Sequence, residues 1–377
     1  MPRVDLVVKS QVKITPRLMQ ACSMFEVPVS GESSESWAFN LDLPEDWSIG
    51  LVTGPSGAGK STLMRALFPD TAIADEFDWP SDRAVIDAFP AATSIKDVAA
   101  LLSSVGFSSP PAWLRPYHVL SMGQKFRVHV ARALAEKTDL IVVDEFTSVV
   151  DRTVAQIGSA AIARTVRARK QKFVAVTCHN DVIDWLQPDW VLEMPQGFLT
   201  RRSVRRRPEI SLEIARVDSK AWDLFRHHHY LDHELNKAAA CFVASWDSVS
   251  VAFASVLAFP HPIAPSWREH RTVCLPDYQG VGIGNALSAY VASLYAATGK
   301  PYRSVTAHPS MIAHRNKSKL WALERLPSRV GPASKTTGRS SLVPSTNRNT
   351  ASFLYIGSKN PEDAARFGLG EIGRAHV

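Results

Sequence analysis

Apolar residues in the first half of the chain alternate or cluster in ways that predict a mixed sheet with helices. Partial alternation predicts edge strands near the N-terminus, and uninterrupted apolar runs predict buried strands further on. The predicted strands are 4–14, 37–43, 49–53, 139–143 and 173–178, and helical spacing occurs at 62–68 and 125–134. The polar stretch 31–36 predicts a loop. The first half is therefore predicted to have an α/β fold.

The second half has more strands and fewer long helices, which predicts an α+β fold. Its predicted strands are 211–217, 239–246, 249–259, 271–275, 302–307 and 352–356, and its predicted helices are 219–235, one around 287–294, and 311–324. The whole chain then divides into N-terminal strands at 1–20, a first domain at 21–200, a linker at 201–208, a second domain at 209–370 and a tail at 371–377.

Composition adds the class of protein to this picture. The chain has 377 residues, enough for two ordinary domains, and its 45% hydrophobic and 21% charged residues are typical of a globular protein. No apolar run reaches the roughly 20 residues of a membrane span, and the N-terminus lacks a signal-peptide core. The cysteines are scattered, so we expect no metal or disulfide framework and a cytoplasmic location. The net charge of +7 permits a nucleic-acid partner.

A glycine-rich loop lies between the strand at 49–53 and the helix at 62–68. Residues 54–61 read G-P-S-G-A-G-K-S, the pattern of a phosphate-binding loop. Backbone N–H groups and the helix dipole favour an anion there, Lys60 is expected to reach the β- and γ-phosphates, and Ser61 to hold Mg²⁺. The residues expected to contact the nucleotide are Gly54, Pro55, Ser56, Gly57, Ala58, Gly59, Lys60, Ser61 and Thr62.

Two carboxylates follow the predicted buried strand 139–143. Such a strand presents Asp144 and Glu145 at its C-terminal edge, where ligands bind in open α/β sheets. Asp144 is suited to hold Mg²⁺ through water, and Glu145 is suited to polarise an attacking water. His179 follows the next predicted strand, so the sequence predicts three catalytic or metal-binding side chains at one sheet edge.

Taken in order, these segments resemble an ATP-binding-cassette (ABC) ATPase. Residues 54–61 match its Walker A motif, Asp144 and Glu145 match Walker B and the catalytic glutamate, 148–151 resembles the D-loop, and His179 the switch histidine. Residues 120–124 match the L-S-G-G-Q signature, with Met122 in place of the first glycine. The signature residues that the resemblance places at the nucleotide are Ser121, Gly123 and Gln124. The resemblance implies ATP, Mg²⁺ and an ATP-dependent homodimer, because the family completes each site with a second copy.

Two features depart from the family pattern. No glutamine stands between Lys60 and Gln124, so the residue that normally links the ATP site to a transporter's membrane subunit is missing. The chain is therefore predicted to be a non-transport ABC ATPase without a membrane partner. For the aromatic residue that stacks on adenine, Phe25 is the best-placed candidate, with Trp37 behind it.

A second glycine loop, 279–284, follows the strand at 271–275 and opens a helix. It lacks the acidic residue of a dinucleotide-binding fold and lies after antiparallel hairpins. Q-G-V-G-I-G instead resembles the Q/R-x-x-G-x-G/A loop of a GNAT-type N-acetyltransferase. That resemblance implies an acetyl-CoA site whose sheet splays to admit the thioester. The residues it implies at acetyl-CoA are Val273, Leu275, Gln279, Gly280, Val281, Gly282, Ile283 and Gly284.

Acyl transfer also needs an acid that protonates the departing thiolate, and the sequence offers several candidates. Many family members have a tyrosine on their last helix, where this sequence has 321–323 without one. By position, His308, Ser310 and Tyr355 could substitute, and His308 is the best of them because it follows a strand beside the expected thioester. Three adjacent histidines at 227–229 cannot share one helix face, which argues against a metal cage.

The acyl acceptor has three interpretations. An amine on a protein or small molecule is the family default. Nucleic acid, modified as by phage Mom-type enzymes, is favoured by the arginine-rich linker 201–207 and the basic stretch 328–350. A third possibility is an ATP-driven DNA clamp whose second domain only senses acetyl-CoA. Finally, the tail 371–377 resembles the translation of a sequencing adapter, so we expect the native C-terminus to differ.

Overall fold

A computed structural model of the chain describes residues 3–68, 77–136, 139–201, 210–229, 233–260, 265–329 and 349–369. The predicted tail, most of the arginine-rich linker and most of the basic stretch 328–350 lie outside these described residues. No helix in the described part is both long and apolar enough to cross a membrane.

The described strands and helices alternate through the first half, whereas strands dominate the second. The strands are β1 (Arg3–Gln11), β2 (Glu32–Asn40), β3 (Ile49–Thr53), β4 (Leu140–Val143), β5 (Lys172–Thr177), β6 (Trp190–Glu193), β7 (Phe198–Arg201), β8 (Glu213–Val217), β9 (Ala240–Trp246), β10 (Val249–Phe259), β11 (Ser266–Cys274), β12 (Tyr302–Thr306), β13 (Trp321–Arg329) and β14 (Asn349–Tyr355). The α-helices are α1 (Pro16–Met24), α2 (Lys60–Leu67), α3 (Ile95–Ser104), α4 (Pro110–Trp113), α5 (Met122–Glu136), α6 (Arg152–Arg169), α7 (Val182–Leu186), α8 (Trp222–Phe225), α9 (Ile283–Ala296), α10 (Pro309–Lys317) and α11 (Pro361–Arg366).

The residues group into two compact units that differ from the predicted domains. The first unit comprises Met1–Phe77, Lys137–Val149 and Val166–Arg206, and the second comprises Asp78–Glu136, Val150–Thr165 and Arg207–Val377. The helical residues 78–136, predicted to belong with the first domain, thus group with the C-terminal half. Their polar contacts to residues 276–280, described below, give the physical reason.

The first unit is built on a five-stranded sheet in the order β4-β5-β3-β6-β7. β4, β5, β3 and β6 are parallel, and β7 is antiparallel to β6. β3 has the predicted bounds and all its residues are buried, as expected for a parallel strand covered on both faces. β1 and β2 form a separate antiparallel pair, so the prediction of a loop at 31–36 was wrong. Cross-strand pairing there does not depend on an apolar face, which is why hydrophobicity gave no signal.

The second unit contains a seven-stranded sheet in the order β13-β14-β12-β11-β10-β9-β8. Its one parallel pair is β11 with β12, and these strands pair only at Trp267↔Tyr302 and Arg268↔Arg303. β11 continues to Cys274 in its pairing with β10, whereas its ladder with β12 ends at Arg268. α9 packs on one face of the sheet through the buried residues Leu287, Val291, Leu294 and Tyr295.

Two helix predictions in the second half were too long. The helix predicted at 311–324 ends at Lys317 in α10, and Trp321 begins β13, which pairs with β14. Ser318 is extended, and Trp321 packs edge-on against Tyr355, so cross-strand packing overrides the helical spacing. The helix predicted at 219–235 is reduced to the four residues of α8 and adjoining 3₁₀ turns in the described region.

Candidate functional site

The first glycine loop joins β3 to α2. Gly54, Gly57 and Gly59 all have positive φ, at 149°, 80° and 78°. A side chain at Gly54 would collide with the Met194 carbonyl oxygen, so glycine is required there by both space and backbone conformation. This geometry turns the chain sharply into the start of α2, as the sequence predicted.

A pocket of about 310 Å³ lies over this loop in the first unit. Its lining is formed by Ser56, Gly57, Gly59, Lys60, Ser61, Thr62, Asp144, Glu145, Ser148, Val176, Thr177 and Cys178. Lys60 Nζ donates to the carbonyl oxygens of Gly54 at 2.9 Å and Pro55 at 2.8 Å. The loop carbonyls thus hold the ammonium group at the pocket. Ala58, also predicted to contact nucleotide, is buried in the core, and its N–H donates to the Pro55 carbonyl at 3.2 Å.

The two residues predicted to bind Mg²⁺ are in direct contact. The Ser61 hydroxyl donates to a carboxylate oxygen of Asp144, which follows β4. A hydroxyl and a carboxylate side by side in a polar pocket are hard oxygen donors of the kind Mg²⁺ prefers. Ser61 and Asp144 therefore fit this ion, and when bound it would add positive charge beside the phosphates.

Glu145 lines the pocket from a strained turn. Its φ is 47° and its N–H donates to the Asp144 carboxylate at 2.8 Å. Non-glycine residues with positive φ cost energy and concentrate at functional sites. His179 lies just after β5, with its N–H on Thr177 Oγ1 at 3.2 Å, and its neighbour Cys178 lines the pocket. The structure thus brings Lys60, Ser61, Asp144 and Glu145 together at one pocket, with His179 beside it.

Of the two aromatic candidates for stacking on adenine, Trp37 is the one that contacts the loop. A Cβ at Gly59 would lie 3.0 Å from the Trp37 ring. Phe25, ranked first from the sequence, is 71% exposed beyond the end of α1. Packing against the glycine loop therefore favours Trp37 as the aromatic residue of this site.

The signature segment begins α5 with a reciprocal cap. Ser121 N–H donates to Gln124 Oε1 at 3.1 Å, and Gln124 N–H donates to Ser121 Oγ at 3.3 Å. This capping box satisfies two backbone donors at the helix start. Gly123 is buried, and a Cβ there would lie 3.0 Å from Val154, so helix packing leaves no room for a larger residue.

No protein-family model matches the chain. Among curated proteins, the methionine import ATP-binding protein MetN of Cutibacterium acnes is 34% identical to this chain over 173 residues. The alignment covers 35% of this chain and 46% of the relative. The chain is 28% identical over 198 residues to the hemin import ATP-binding protein HmuV of Rhodococcus jostii, covering 41% and 66%. It is 30% identical over 159 residues to elongation factor 3 of Gonapodya prolifera, covering 35% and 14%.

The matched segment of the chain is similar to ABC-type ATP-binding proteins. It spans less than half the length of the first curated relatives, at 46%, 21% and 14%. Among solved structures, a dimeric bacterial ABC transporter cassette matches 46% of this chain and 93% of its own, with 18% identity and a TM-score of 0.36. A bacterial Atm1-family ABC exporter with ATP bound matches 45% and 34%, with 21% identity and a TM-score of 0.33.

The second glycine loop packs against helical residues of the ABC-type segment, all within the second unit. Ser108 N–H donates to Gln279 Oε1 at 2.7 Å, while Gln279 Nε2 donates to the Cys274 carbonyl at 2.8 Å. A Cβ at Gly280, whose φ is 96°, would lie 2.6 Å from Gly106 Cα. Gly282 differs, because its φ is 101° but nothing lies within 4 Å of its Cβ position. The start of α9 is thus open at Gly282 and covered at Gly280.

The remaining residues predicted at acetyl-CoA are mostly engaged within the protein. Ile283 and Val273 are buried, and Val281 packs against the core. Leu275 N–H donates to the Val251 carbonyl at 2.9 Å. Gly284 N–H makes a hydrogen bond to the Cys274 thiol, whose pKa burial raises to about 12. A ligand could therefore reach this loop most easily at Gly282.

Sequence reasoning missed Arg127, which holds the second glycine loop to α5. Its fully buried guanidinium donates to the carbonyls of Gly106 at 3.3 Å, Asp277 at 2.7 Å, and Pro276. Burial lowers the pKa of Arg127 to about 10, opposed by Asp277, so the group remains charged at neutral pH. Arg164 of α6 adds a hydrogen bond to the Gly280 carbonyl. A basic residue within a signature helix gave no sequence signal of these distant partners.

A buried charge network lies where β11 and β12 diverge, and the sequence did not indicate it either. Arg315 of α10 contacts Glu269 at 2.9 Å, with side chains 1% and 7% exposed. The hydroxyls of Thr272, Ser288 and Ser304 also donate to the Glu269 carboxylate. Burial alone would raise the pKa of Glu269, but Arg315 and these hydroxyls bring it to about 2. Glu269 is therefore ionised, and its carboxylate oxygens are bound by Arg315 and the three hydroxyls.

His308, predicted as a catalytic residue, caps the start of α10 and is 8% exposed. Its Nε2 lies 3.3 Å from the Ser108 carbonyl, and its Nδ1 lies 2.9 Å from Ser310 Oγ. Burial lowers the pKa of His308, so the imidazole is neutral at pH 7. A neutral imidazole is suited to accept a proton, which differs from the proton-donor role predicted for it. Its assignment as a catalytic residue stays a prediction.

Proposed function

We propose that this chain is an ATP-hydrolysing, non-transport ABC-type ATPase coupled to an acetyl-CoA-dependent acyltransferase of the GNAT type, with an amine as acceptor. The ATP-binding half rests on the pocket that unites Lys60, Ser61, Asp144 and Glu145. The acyltransferase half rests on the divergence of β11 from β12 beyond Arg268. The GNAT resemblance implies a splayed sheet of this kind at the thioester.

In the proposed ATPase reaction, Lys60 binds the β- and γ-phosphates and Glu145 orients and polarises the attacking water. Ser61 and Asp144 would hold Mg²⁺, which supplies positive charge to the transferred phosphoryl group. The ABC resemblance adds the signature residues 121–124 from a second copy, so we propose an ATP-dependent homodimer. His179 would assist by contacting the γ-phosphate.

Substitution Lys60→Ala tests the ATPase proposal. Because Lys60 is the cation over the phosphate loop, its removal should lower kcat/KM for ATP hydrolysis by about 10²–10³-fold. Lys96→Ala, which changes an exposed residue in the first turn of α3, is the matched control and should leave hydrolysis unchanged. Phosphate release would be measured with Mg²⁺ present. Equal rates for Lys60→Ala and the unaltered protein would contradict the assignment.

In the proposed acyl transfer, the amine nitrogen attacks the thioester carbonyl carbon and a carbon–nitrogen bond forms. The carbon–sulfur bond breaks, the nitrogen loses a proton, and coenzyme A leaves as a thiolate that takes up a proton. Backbone amides of β11 beyond Arg268, where its ladder with β12 has ended, would polarise the carbonyl. The start of α9 at Gly282 would bind the pyrophosphate, because it is exposed and presents the positive end of the helix dipole.

Two glycines at opposite ends of α9 provide a matched test. Gly282 and Gly299 both have positive φ, 101° and 84°, and open space around their Cβ positions. Glutamate at either site therefore carries similar backbone strain, but only Gly282→Glu places a negative charge at the proposed pyrophosphate site. Acetyl-CoA binding, measured by calorimetry, should weaken at least tenfold in Gly282→Glu and stay unchanged in Gly299→Glu.

Turnover then separates the enzymatic from the sensing interpretation. Release of free coenzyme A in the presence of a primary amine would support acyl transfer. Tight acetyl-CoA binding without release would favour the non-catalytic alternative. No acetyl-CoA binding by the unaltered protein would rule out both.

A further inference from the structure

A pocket unrelated to either glycine loop lies on the sheet of the second unit. It has a volume of about 340 Å³ and is lined by Phe259, Ser266, Arg268, Arg303, Val305, Glu324, Arg325 and Ser352. Trp267 and Tyr302 pack against Tyr295 of α9, at ring distances of 4.9 and 6.2 Å. Since side chains alternate along a strand, Arg268 and Arg303 point to the opposite face. The pocket therefore opens on the side of the sheet away from α9.

Positive charge dominates the pocket lining. The lining contains the guanidinium groups of Arg268, Arg303 and Arg325 and a single carboxylate, Glu324. Arg303 is paired with that carboxylate, its Nε lying 3.1 and 3.0 Å from the two oxygens. Arg325 donates to Thr350 Oγ1 at 3.0 Å, which uses one of its five N–H donors. Glu324 thus neutralises Arg303, and the positive charges of Arg268 and Arg325 have no carboxylate in the pocket lining to balance them.

Arg268 lies against an aromatic ring of the pocket lining. Its guanidinium lies 5.3 Å from the ring centre of Phe259, within cation–π range. Burial lowers the pKa of Arg268, and the nearby Arg271 lowers it further. The Arg268 guanidinium carries five N–H donors, a set that suits the oxygens of an anion.

A buried hydroxyl in the same pocket lacks a hydrogen-bond partner in the part of the chain that the structure describes. Ser266 is 3% exposed and lines the pocket, and its Oγ makes no hydrogen bond within the described residues. An unsatisfied buried hydroxyl destabilises the folded protein. A ligand oxygen or hydrogen-bond donor entering the pocket would remove that destabilisation.

We infer that this pocket binds a phosphate ester. Phosphate presents several charged oxygens, which matches the fork-like donors of Arg268 and Arg325 together with the unpartnered Ser266 hydroxyl. Phe259 supplies an apolar wall for the rest of the ligand. A divalent cation would be repelled by these arginines, and an apolar ligand would leave their charges unmatched. This inference concerns binding alone and holds whether or not the domain transfers acyl groups.

Binding would be measured with ribose 5-phosphate by calorimetry and with a fluorescein-labelled 12-nucleotide single-stranded DNA by anisotropy. Arg268→Gln and Arg325→Gln should each weaken binding of the phosphate probe about tenfold, as expected for loss of a charge-assisted hydrogen bond. Arg83→Gln, an exposed arginine outside the pocket lining, is the control with the same change in net charge. It should leave binding unchanged.

Ser266→Ala gives a second readout that a purely structural hydroxyl would not produce. Without ligand, the variant should be as stable as the unaltered protein or more so, because an unsatisfied polar group is removed. With ribose 5-phosphate, its affinity should fall severalfold. Thermal melts with and without the probe measure both effects. A fall in stability without ligand and unchanged affinity would overturn the role given to Ser266.

Competition identifies the source of the phosphate. If ribose 5-phosphate displaces the DNA probe, the pocket takes a single phosphate ester from either source. If DNA binds and depends on Arg268 but is not displaced, a polynucleotide backbone is the ligand, and the dependence of log Kd on log salt should decrease by about one per lost contact. Failure of both probes to bind at millimolar concentration, or equal loss in Arg83→Gln, would overturn the proposal.

Discussion

At the scale of single residues, buried charged side chains hold elements of the second unit in position. Arg127, Glu269 and Arg315 are all buried, and each has several polar partners. Burying a charge is costly unless its partners are held in place, so these residues fix the positions of the elements that surround them. Glu269 and Arg315 are 46 positions apart in the chain, and no local pattern indicates their contact.

Substitution Glu269→Gln should therefore destabilise the fold by about 3–5 kcal/mol at pH 7, because it leaves the Arg315 charge buried without a counter-ion. The folded-state pKa of about 2 lies below the ordinary 4.5. The stabilisation from Glu269 is thus complete above about pH 4.5 and is lost as the pH falls toward 2. Urea unfolding at pH 7, 4 and 3 should show the cost of the substitution shrinking with acidity.

Glu324→Gln is the appropriate comparison for that experiment. Glu324 also pairs with an arginine, but its side chain is 29% exposed, and such pairs contribute about 1 kcal/mol or less. If both substitutions cost the same, or if the Glu269→Gln cost did not change with pH, the buried pair would not have the role argued for it.

At the scale of elements, the sequence predicted those parts whose signal is local. β3, the first glycine loop and the start of α2 were found because a buried strand, positive-φ glycines and a helix dipole each leave a pattern within a few residues. The first half of β2 was assigned to a loop and the start of β13 to a helix, because the stability of these strands comes from their partner strands. The residues of the nucleotide pocket were predicted from a sequence motif. Arg127 and Ser266 could be found only in the structure, where the fold brings distant strands and helices together.

At the scale of the whole molecule, α5 contributes both to the signature segment and to the contact with the region of the second glycine loop. Its first turn is the signature segment, and one turn later Arg127 binds the carbonyls of Pro276 and Asp277, next to the second glycine loop. The ABC resemblance implies that ATP draws the signature segment onto a second copy. We therefore expect that ATP-driven dimerisation shifts α5 and, through Arg127, changes the exposure of the glycine loop.

This coupling predicts that a non-hydrolysable ATP analogue changes the affinity for acetyl-CoA by about fivefold or more, and that acetyl-CoA changes the affinity for the analogue by the same factor, since linkage is reciprocal. Arg127→Met should bring that factor close to one, because the guanidinium that joins α5 to residues 276 and 277 is lost. Arg132→Met is the control on the same helix, where the side chain bonds to Asp78 and Glu136.

Since Arg127 is buried, its removal could also loosen the fold, and Gly106→Ala addresses this from the other side of the contact. Gly106 has a φ of 88°, and a methyl group there would press on the Gln279 carbonyl. Both variants should keep the circular dichroism of the unaltered protein while losing the coupling. Full coupling in folded Arg127→Met would show that the signal does not pass through this contact, and no coupling in the unaltered protein would contradict a link between ATP and acetyl-CoA.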